Sequence, residues 1–404
     1  MNRRNFFRAM AASPLVMKSL NSLSVANKPV KEHITGRGQT ADPWLEVNMD
    51  NIAWNTAQIK QRVGNRPVMA VIKANAYGHG LLEMARYLEK QNVDALAVGK
   101  TAEALILREN GIRIPLLNFG PYSREEAKRI VALKIIQSVY NDNFIWLAEA
   151  AQTEDKTAPV HIKIDTGLGR VGVPYYRALP LIEKIADTKG IRIDGIFTPF
   201  TEDQEFDRVQ LSRFLEVCES AKNKGIETGI RHAASSAGMI SFPESYLDMV
   251  RPGIAIYGQY PSTRAFEERE IDLKPAMSLK SRIVYLKMLR KGDSISYHRS
   301  YTALKETLVA TIPTGYSDGY PYQAGDKGDV LIRGKRCPVI GLVTANHFTV
   351  DVSGLERVDM YDEVVMFGQQ GNREITVEEV ASRAGTSVYK ILIGMNPLLP
   401  KIYN

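Results

Sequence analysis

The chain has 404 residues, 44% apolar and 24% charged, which suits a globular protein and leaves room for two domains with sizeable cores. Its net charge is +7, but residues 1–26 hold Arg3, Arg4, Arg8 and Lys18 and no acid, so the near-balanced remainder gives no support to a nucleic-acid partner. Two cysteines, Cys218 and Cys337, exclude a disulfide-dense scaffold and a cysteine metal framework, and both read as inert structural thiols.

Residues 1–26 read as an export signal. "NRRNFFR" pairs two arginines with aromatics, as twin-arginine signals do. A short apolar stretch over 9–17 contains Pro14, and "SVA" at 24–26 offers small residues for cleavage. The expected location is periplasmic or otherwise exported; a transit peptide and a plain cytoplasmic N-terminus are the alternatives. No later segment reaches transmembrane length. Residues 27–42 form a loose linker.

From residue 43 short apolar runs alternate with helical patterns. Strands are predicted at 67–73, 95–99, 114–120, 136–140, 160–165, 193–198, 229–234 and near 249–258. Helical stretches lie between them, such as "HGLLEMARYLEKQ" and "DRVQLSRFLEVCESAKNKG". The second puts Val209, Leu211, Phe214, Leu215 and Val217 on one stripe. Strands apolar on both faces, alternating with helices, predict a parallel sheet covered by helices. Eight such units predict an eight-stranded α/β barrel over 43–275, with a doubly wound open sheet as the alternative. No Gly-x-Gly-x-x-Gly follows the first strand, which argues against a dinucleotide site. From 276 to 404 alternating, Val- and Ile-rich runs with Gly and Asp at the turns predict a mainly β domain, with one late helix at "VEEVASRAG".

The chemistry concentrates at predicted strand ends. In "AVIKANAYGHG", residues 70–80, an apolar strand ends in Lys73. A cation there is costly unless paired or chemically used, and a desolvated lysine can lose its proton and react with a carbonyl group. The bland alternative is a lysine on a βα loop with its head in water. "KIDTGLGRVG" ends the fifth strand with Lys163, Asp165 and Arg170 among glycines, "HAASSAG" the seventh with His232 and Ser236, and "RPGIAIYG" offers Arg251 and Gly253. Tyr77, Ser236 and the Gly253–Ile254 amides could together hold one phosphate. Each alone is equally a turn, a cap or a surface arginine; their shared position is the informative part.

With these stretches in view, the chain from about residue 43 to its end resembles the alanine racemase family, pyridoxal phosphate enzymes built as a barrel plus a β domain. "VIKANAYGHG", "KIDTGLGRVGV", "RPGIAIYG", "ISYHRSY" and "TGYSDGY" occur in family order. The resemblance implies that Lys73 holds pyridoxal 5'-phosphate covalently and serves as one base. It implies that Tyr77, Ser236, Gly253, Ile254 and Tyr389 hold the phosphate, with His232 also among the cofactor contacts. Arg251 would face the pyridine nitrogen and, keeping its own proton, leave that nitrogen unprotonated. Tyr316 would be the second base, reaching in from the other subunit of a homodimer. Arg170 and the Ala345 amide would meet the substrate carboxylate, and Lys163 would be carbamylated. Inverting Cα needs a base on each face, so Lys73 and Tyr316 form the expected pair.

Three departures from the family pattern bear on activity. Pro199 stands where members usually have a histidine that links the catalytic tyrosine to the arginine, so slower proton transfer by Tyr316 is expected. Ser235-Ser236 replaces Asn-Ser. "GLVTANHF" puts Thr344, Ala345 and Asn346 where alanine racemases commonly show Cys-Met-Asp and broad-specificity relatives Ser-Met-Asn. Losing the methionine side chain should enlarge the pocket. The expectation is therefore an exported amino-acid racemase acting on alanine and larger amino acids. The alternatives are an alanine-only racemase, a decarboxylase on the same scaffold, or a pyridoxal phosphate-holding protein with degraded catalysis.

Overall fold

The computed structural model describes residues 42–404, so the expected export signal and all but the last residue of the linker lie outside the described residues. The first strand, β1 (Trp44–Val47), is followed by the helix Met49–Val63. Seven strands then pair side by side and parallel: β2 (Met69–Val71), β3 (Ala95–Val98), β4 (Leu116–Asn118), β5 (Ile136–Val139), β6 (Ala158–Asp165), β7 (Ile191–Phe197) and β8 (Ile230–His232). Every residue of β2, β3 and β4 is buried, as two-sided apolar runs require.

Helices cover the outside of this sheet. The helix Leu81–Lys90 buries Leu81, Met84, Ala85 and Leu88, one face at 3.6-residue spacing. Ser123 and Glu126 form a reciprocal capping box that starts the helix Arg124–Ala132. The helix Gln204–Asn223 starts at Asp203, whose carboxylate accepts from the Phe206 N–H at 3.0 Å. Its buried face runs through Leu211, Phe214, Val217, Cys218 and Ala221; Val209 and Leu215, expected on the stripe, are exposed.

Residues 249–258 do not form the expected eighth strand. Only Val250 bridges, in parallel, to Val68. Pro252 has no N–H to give to a ladder, and the chain tightens into a 3-10 turn at Ile254–Tyr257. The segment still closes the barrel. On one side the N–H groups of Met69 and Val71 donate to the carbonyls of Val250 and Pro252, both at 2.9 Å. On the other, Asp248 N–H donates to Arg231 O at 3.1 Å and Arg251 N–H to Ala234 O at 2.8 Å. A single irregular stave thus joins β2 to β8.

The second sheet is built from β9 (Met277–Arg282), β10 (Tyr285–Leu289), β11 (Thr307–Ile312), β12 (Asp329–Ile332), β13 (Lys335–Ile340), β14 (Phe348–Asp351), β15 (Glu363–Gln370) and β16 (Lys401–Tyr403). Along β9 burial alternates strictly, the signature of a sheet with one face on a core. β1 belongs here and not to the barrel. It pairs antiparallel with β9, Trp44 opposite Lys280, and parallel with β16, Leu45 opposite Lys401. The described chain therefore passes through the β sheet before it builds the barrel and returns to it afterwards. Two helices late in the chain, Val377–Arg383 and Val388–Ile393, replace the single one expected. Cys218 and Cys337 are free and buried, and burial pushes their thiols up to about 12 and about 11. Among the described residues no helix is long and apolar enough to cross a membrane, and no group of three acidic, histidine or cysteine side chains is placed to hold a metal ion.

Candidate active site

A cavity of about 550 Å³ opens where the barrel strands end at their C-termini. Val71 borders it from β2 and Lys73 from just beyond that strand, Lys163 from β6, Phe197 from the end of β7, and Ser235 and Ser236 from beyond β8. Of the predicted residues, Lys73, Tyr77, Lys163, Arg170, Ser236, Arg251, Gly253, Ile254 and Tyr389 all line this one space. Residues scattered over more than 300 positions meet there because the fold stacks strand ends.

Lys73 sits on an unusual piece of backbone. The four residues after it, Ala74 to Tyr77, all have φ between 50° and 56°. A left-handed conformation costs about 1–2 kcal/mol for each such residue, and none of the four is glycine. Tertiary hydrogen bonds impose it. The Asn75 N–H donates to Glu103 Oε1 at 3.0 Å, and Asn75 Oδ1 accepts from the Leu81 N–H at 2.8 Å. Glu103 Oε2 in turn accepts from the Gly99 N–H at 3.1 Å, so one carboxylate ties the ends of β2 and β3 together. The turn swings Tyr77 back beside the lysine, whose Nζ lies 5.8 Å from the Tyr77 ring centre. Burial lowers the Lys73 pKa first, the Arg170 and Arg251 cations lower it further, and Glu103 and Glu202 oppose them. The net direction favours a free amine.

Beside it lies an anion cradle. Ser236 Oγ accepts from the Gly253 N–H at 2.9 Å and the Ala255 N–H at 3.2 Å. The Gly253 amide is thus turned on the serine, which leaves the Ser236 hydroxyl proton free to donate. Ile254 opens the 3-10 turn, where the helical pattern supplies its N–H with no acceptor. Tyr77 and Tyr389 face each other with ring centres 6.1 Å apart. A Cβ on Gly253 would meet Tyr77 Oη at 2.5 Å, so only glycine permits this approach.

Arg251 forms the inner wall. It is buried, donates from one terminal nitrogen to the carbonyls of Thr198 (2.8 Å) and Ala233 (2.7 Å), and leaves Nε without a partner. Its guanidinium lies 5.3 Å from the Phe197 ring centre. Burial lowers its pKa to about 10, still a cation at neutral pH. Lys163 is 8% exposed, and burial followed by Arg170 brings it down to about 8. Carbamylation, expected of it, requires the free amine, and the lowered proton affinity works in that direction. Arg170 stands exposed on a loop that Asp165 Oδ1 holds by accepting from the Gly167 and Gly169 N–H groups, both at 3.0 Å.

His232, expected among the cofactor contacts, does not line the cavity. It lies stacked against Phe197 (ring centres 4.9 Å, planes 8° apart) and pairs through Nε2 with His161 Nδ1 at 2.9 Å. Burial holds both imidazoles neutral, with His161 near 4. Pro199 lines the cavity, and its carbonyl accepts from Gln210 Nε2 at 3.3 Å.

Tyr316 and Ala345 are brought together, but away from this cavity. The Tyr316 N–H donates to Thr344 O at 3.1 Å, and the Ser317 N–H and hydroxyl donate to Ala345 O at 3.0 and 2.6 Å. Tyr316 is 53% exposed, and neither it nor Ala345 lines the cavity. Glu103, Phe119 and Glu202 escaped the sequence reading. Glu103 carried a usable signal, since it follows the second strand end by four residues, as a strand-end anchor would.

A barrel with a desolvated lysine and an anion cradle at its strand ends, joined to a β domain, defines a lysine-tethered carbonyl-cofactor enzyme. Comparison with known proteins gives the family. Residues 47–261 match the N-terminal domain of alanine racemase and residues 276–403 its C-terminal domain. The chain is 38% identical to the alanine racemase of Desulforamulus reducens over 367 residues, 89% of this chain and 98% of the relative. It superposes on the alanine racemase of Clostridium difficile with a TM-score of 0.86 at 34% identity, covering 91% and 97% of the two chains. An alanine racemase from Bacillus anthracis with bound L-Ala-P gives 0.84 at 31%, covering 91% and 96%. The chain belongs to the alanine racemase family, whose cofactor is pyridoxal 5'-phosphate.

The residues present fit that cofactor. Its aldehyde requires a neutral amine, its phosphate requires donors, and its ring nitrogen requires a polar partner. Lys73, the Ser236–Ile254–Tyr77 cradle and the unpartnered Arg251 Nε meet those needs. Gly253→Ala should weaken pyridoxal phosphate binding by roughly ten- to a hundredfold, because Tyr77 must leave the cradle to clear the new methyl. A fluorescence titration checks this, and unchanged affinity would remove Tyr77 from the phosphate site.

Proposed function

We propose that this chain is a pyridoxal phosphate-dependent amino-acid racemase. It acts on alanine and larger amino acids through two bases, Lys73 and Tyr316, the second supplied by another copy of the chain. The observation that carries the proposal is the division of the site. One cavity holds Lys73 with its proton affinity lowered, while the exposed Tyr316 and the half-buried Ala345 lie together outside that cavity. A two-fold dimer lets each chain complete the other's cavity. Relatives named alanine racemase support the reaction.

Bound in this cavity, pyridoxal phosphate supplies the electron withdrawal that acidifies the substrate Cα–H. Lys73 Nζ removes or returns the Cα proton on one face, and Tyr316 Oη does so on the other. Arg170 and the Ala345 N–H orient the substrate carboxylate. Lys163, carbamylated, turns from a cation into an anion and holds Arg170. Arg251 keeps a fixed positive charge at the cavity's inner wall and tempers the electron withdrawal. Arginines 3 and 4 support placement outside the cytoplasm.

Pro199 should slow the Tyr316 half-reaction, since it has no donor to set the tyrosine's proton affinity. Pro199→His is expected to raise the slower direction by about threefold to tenfold, with unequal change in the two directions. Equal or absent change would show that Pro199 does not limit proton transfer.

Chiral chromatography of a panel of L-alanine, L-lysine, L-arginine and L-serine tests substrate breadth. D-product from alanine and from at least one larger amino acid is expected. D-product from alanine alone would overturn the wider specificity.

A further inference from the structure

Among the basic side chains that line the cavity, Lys73, Lys163, Arg170 and Arg251, stands one carboxylic acid, the exposed Glu202. It sits on the loop that follows β7, just beyond Pro199. Among the described residues its carboxylate has no hydrogen bond and no ion pair; only its backbone N–H is engaged, donating to Asp207 Oδ1 at 3.2 Å.

The loop is pinned at that point. Thr201 donates to Asp207 Oδ1 from its N–H (3.1 Å) and its hydroxyl (3.0 Å), and its N–H also reaches Gln210 Oε1 at 2.9 Å. Glu202 itself is held at φ = 67°, a left-handed conformation in which a glutamate is strained. The carboxylate is thus carried on a fixed backbone. Burial dominates the proton affinities of Lys73, Tyr77 and Tyr389; after it, the Glu202 charge opposes the lowering at Lys73 and adds to the raising at the two tyrosines. Its exposed side chain therefore lines the cavity from the solvent-facing side.

A racemase needs Lys73 as a neutral amine, and in that state Lys73 cannot serve as a counter-ion. Resting on the proposal that the site takes amino acids larger than alanine, we propose that Glu202 selects substrates with a cationic side chain. It would pair with the ammonium of lysine or ornithine, or with the guanidinium of arginine. Wrong partners are rejected by the same charge: an acidic side chain would face Glu202 directly.

The test compares kcat/KM for L-lysine with that for L-methionine, a side chain of similar length without charge, in the holoenzyme. The wild type should favour lysine. Glu202→Gln should lower the lysine-to-methionine ratio by roughly five- to tenfold, mainly through KM, and Glu202→Lys should lower it further. The lysine KM should rise with salt in the wild type and lose that dependence in Glu202→Gln, a response that a merely structural residue would not give. Circular dichroism melting reports whether each variant folds. Equal losses for both substrates would overturn the proposal and assign Glu202 to Lys73 instead. Methionine turnover without a lysine preference would also overturn it, while leaving the wider specificity intact. Turnover of alanine with neither of the other two would remove the wider specificity and this proposal with it.

Discussion

Lys73→Ala is expected to lower kcat/KM for alanine by roughly 10⁴-fold or more, the largest effect of any single substitution in the chain. Under the proposed mechanism two functions go at once: the tether of the cofactor and the base on one face of Cα. The fold should survive. Lys73 has no salt bridge among the described residues, and its burial works against its charge. The left-handed turn beside it is held by Glu103 and Asn75, which remain. A melting temperature within a few degrees of wild type, together with loss of the visible absorption of the bound cofactor, would localise the defect to the lysine. Retained racemisation would remove Lys73 from the mechanism.

The second large effect concerns Tyr316 and the dimer. Tyr316→Phe removes one oxygen from an exposed ring, which leaves stability within about 0.5 kcal/mol. Racemisation should fall by roughly 10²- to 10⁴-fold, because one face of Cα loses its base. The proposed arrangement in trans makes a sharper prediction. In a heterodimer of Lys73→Ala and Tyr316→Phe chains, one cavity carries both lesions and the other carries neither. Mixing the two inactive variants under conditions of subunit exchange should restore up to about a quarter of wild-type activity, since half the dimers are mixed and each has one intact site. No recovery, with exchange verified by differently tagged chains, would place both bases in one chain.

The strand-end chemistry was legible because it depends on local sequence. An apolar run ending in Lys73, or glycines around Arg170, marks a βα junction without knowledge of the neighbours. The irregular stave at 248–252 was not. "MVRPGIAIYG" reads as a strand by composition, but Pro252 and the 3-10 turn limit it to a few bonds on each side. The membership of β1 was hidden for a related reason. Trp44–Val47 is not among the predicted strands at all: it is too short and too evenly apolar to show alternation, and its partners β9 and β16 lie more than 200 positions away.

The site was hidden where its geometry is imposed from a distance. Nothing in Ala74-Asn75-Ala76-Tyr77 announces left-handed backbone; Glu103 and Asn75 enforce it. His232 sits at a strand end by sequence, yet Phe197 stacks against it and it falls outside the cavity lining. Glu202 carries no motif at all, and only the cavity shows it as the one acidic side chain of the lining.

Under the proposed mechanism two bases act on Cα, Lys73 on one face and Tyr316 on the other. The measurement that tests it most directly is run in deuterated water with pyridoxal phosphate-loaded protein and single enantiomers of alanine. Cα–H exchange and inversion are followed together, in wild type and in Tyr316→Phe. The account predicts that wild-type product of inverted configuration carries deuterium at Cα. It predicts that Tyr316→Phe still exchanges the enantiomer whose proton faces Lys73, while inversion is lost. Inversion that persists in Tyr316→Phe at the wild-type rate, or inversion that keeps the original proton, would contradict it, because a single base would then serve both faces.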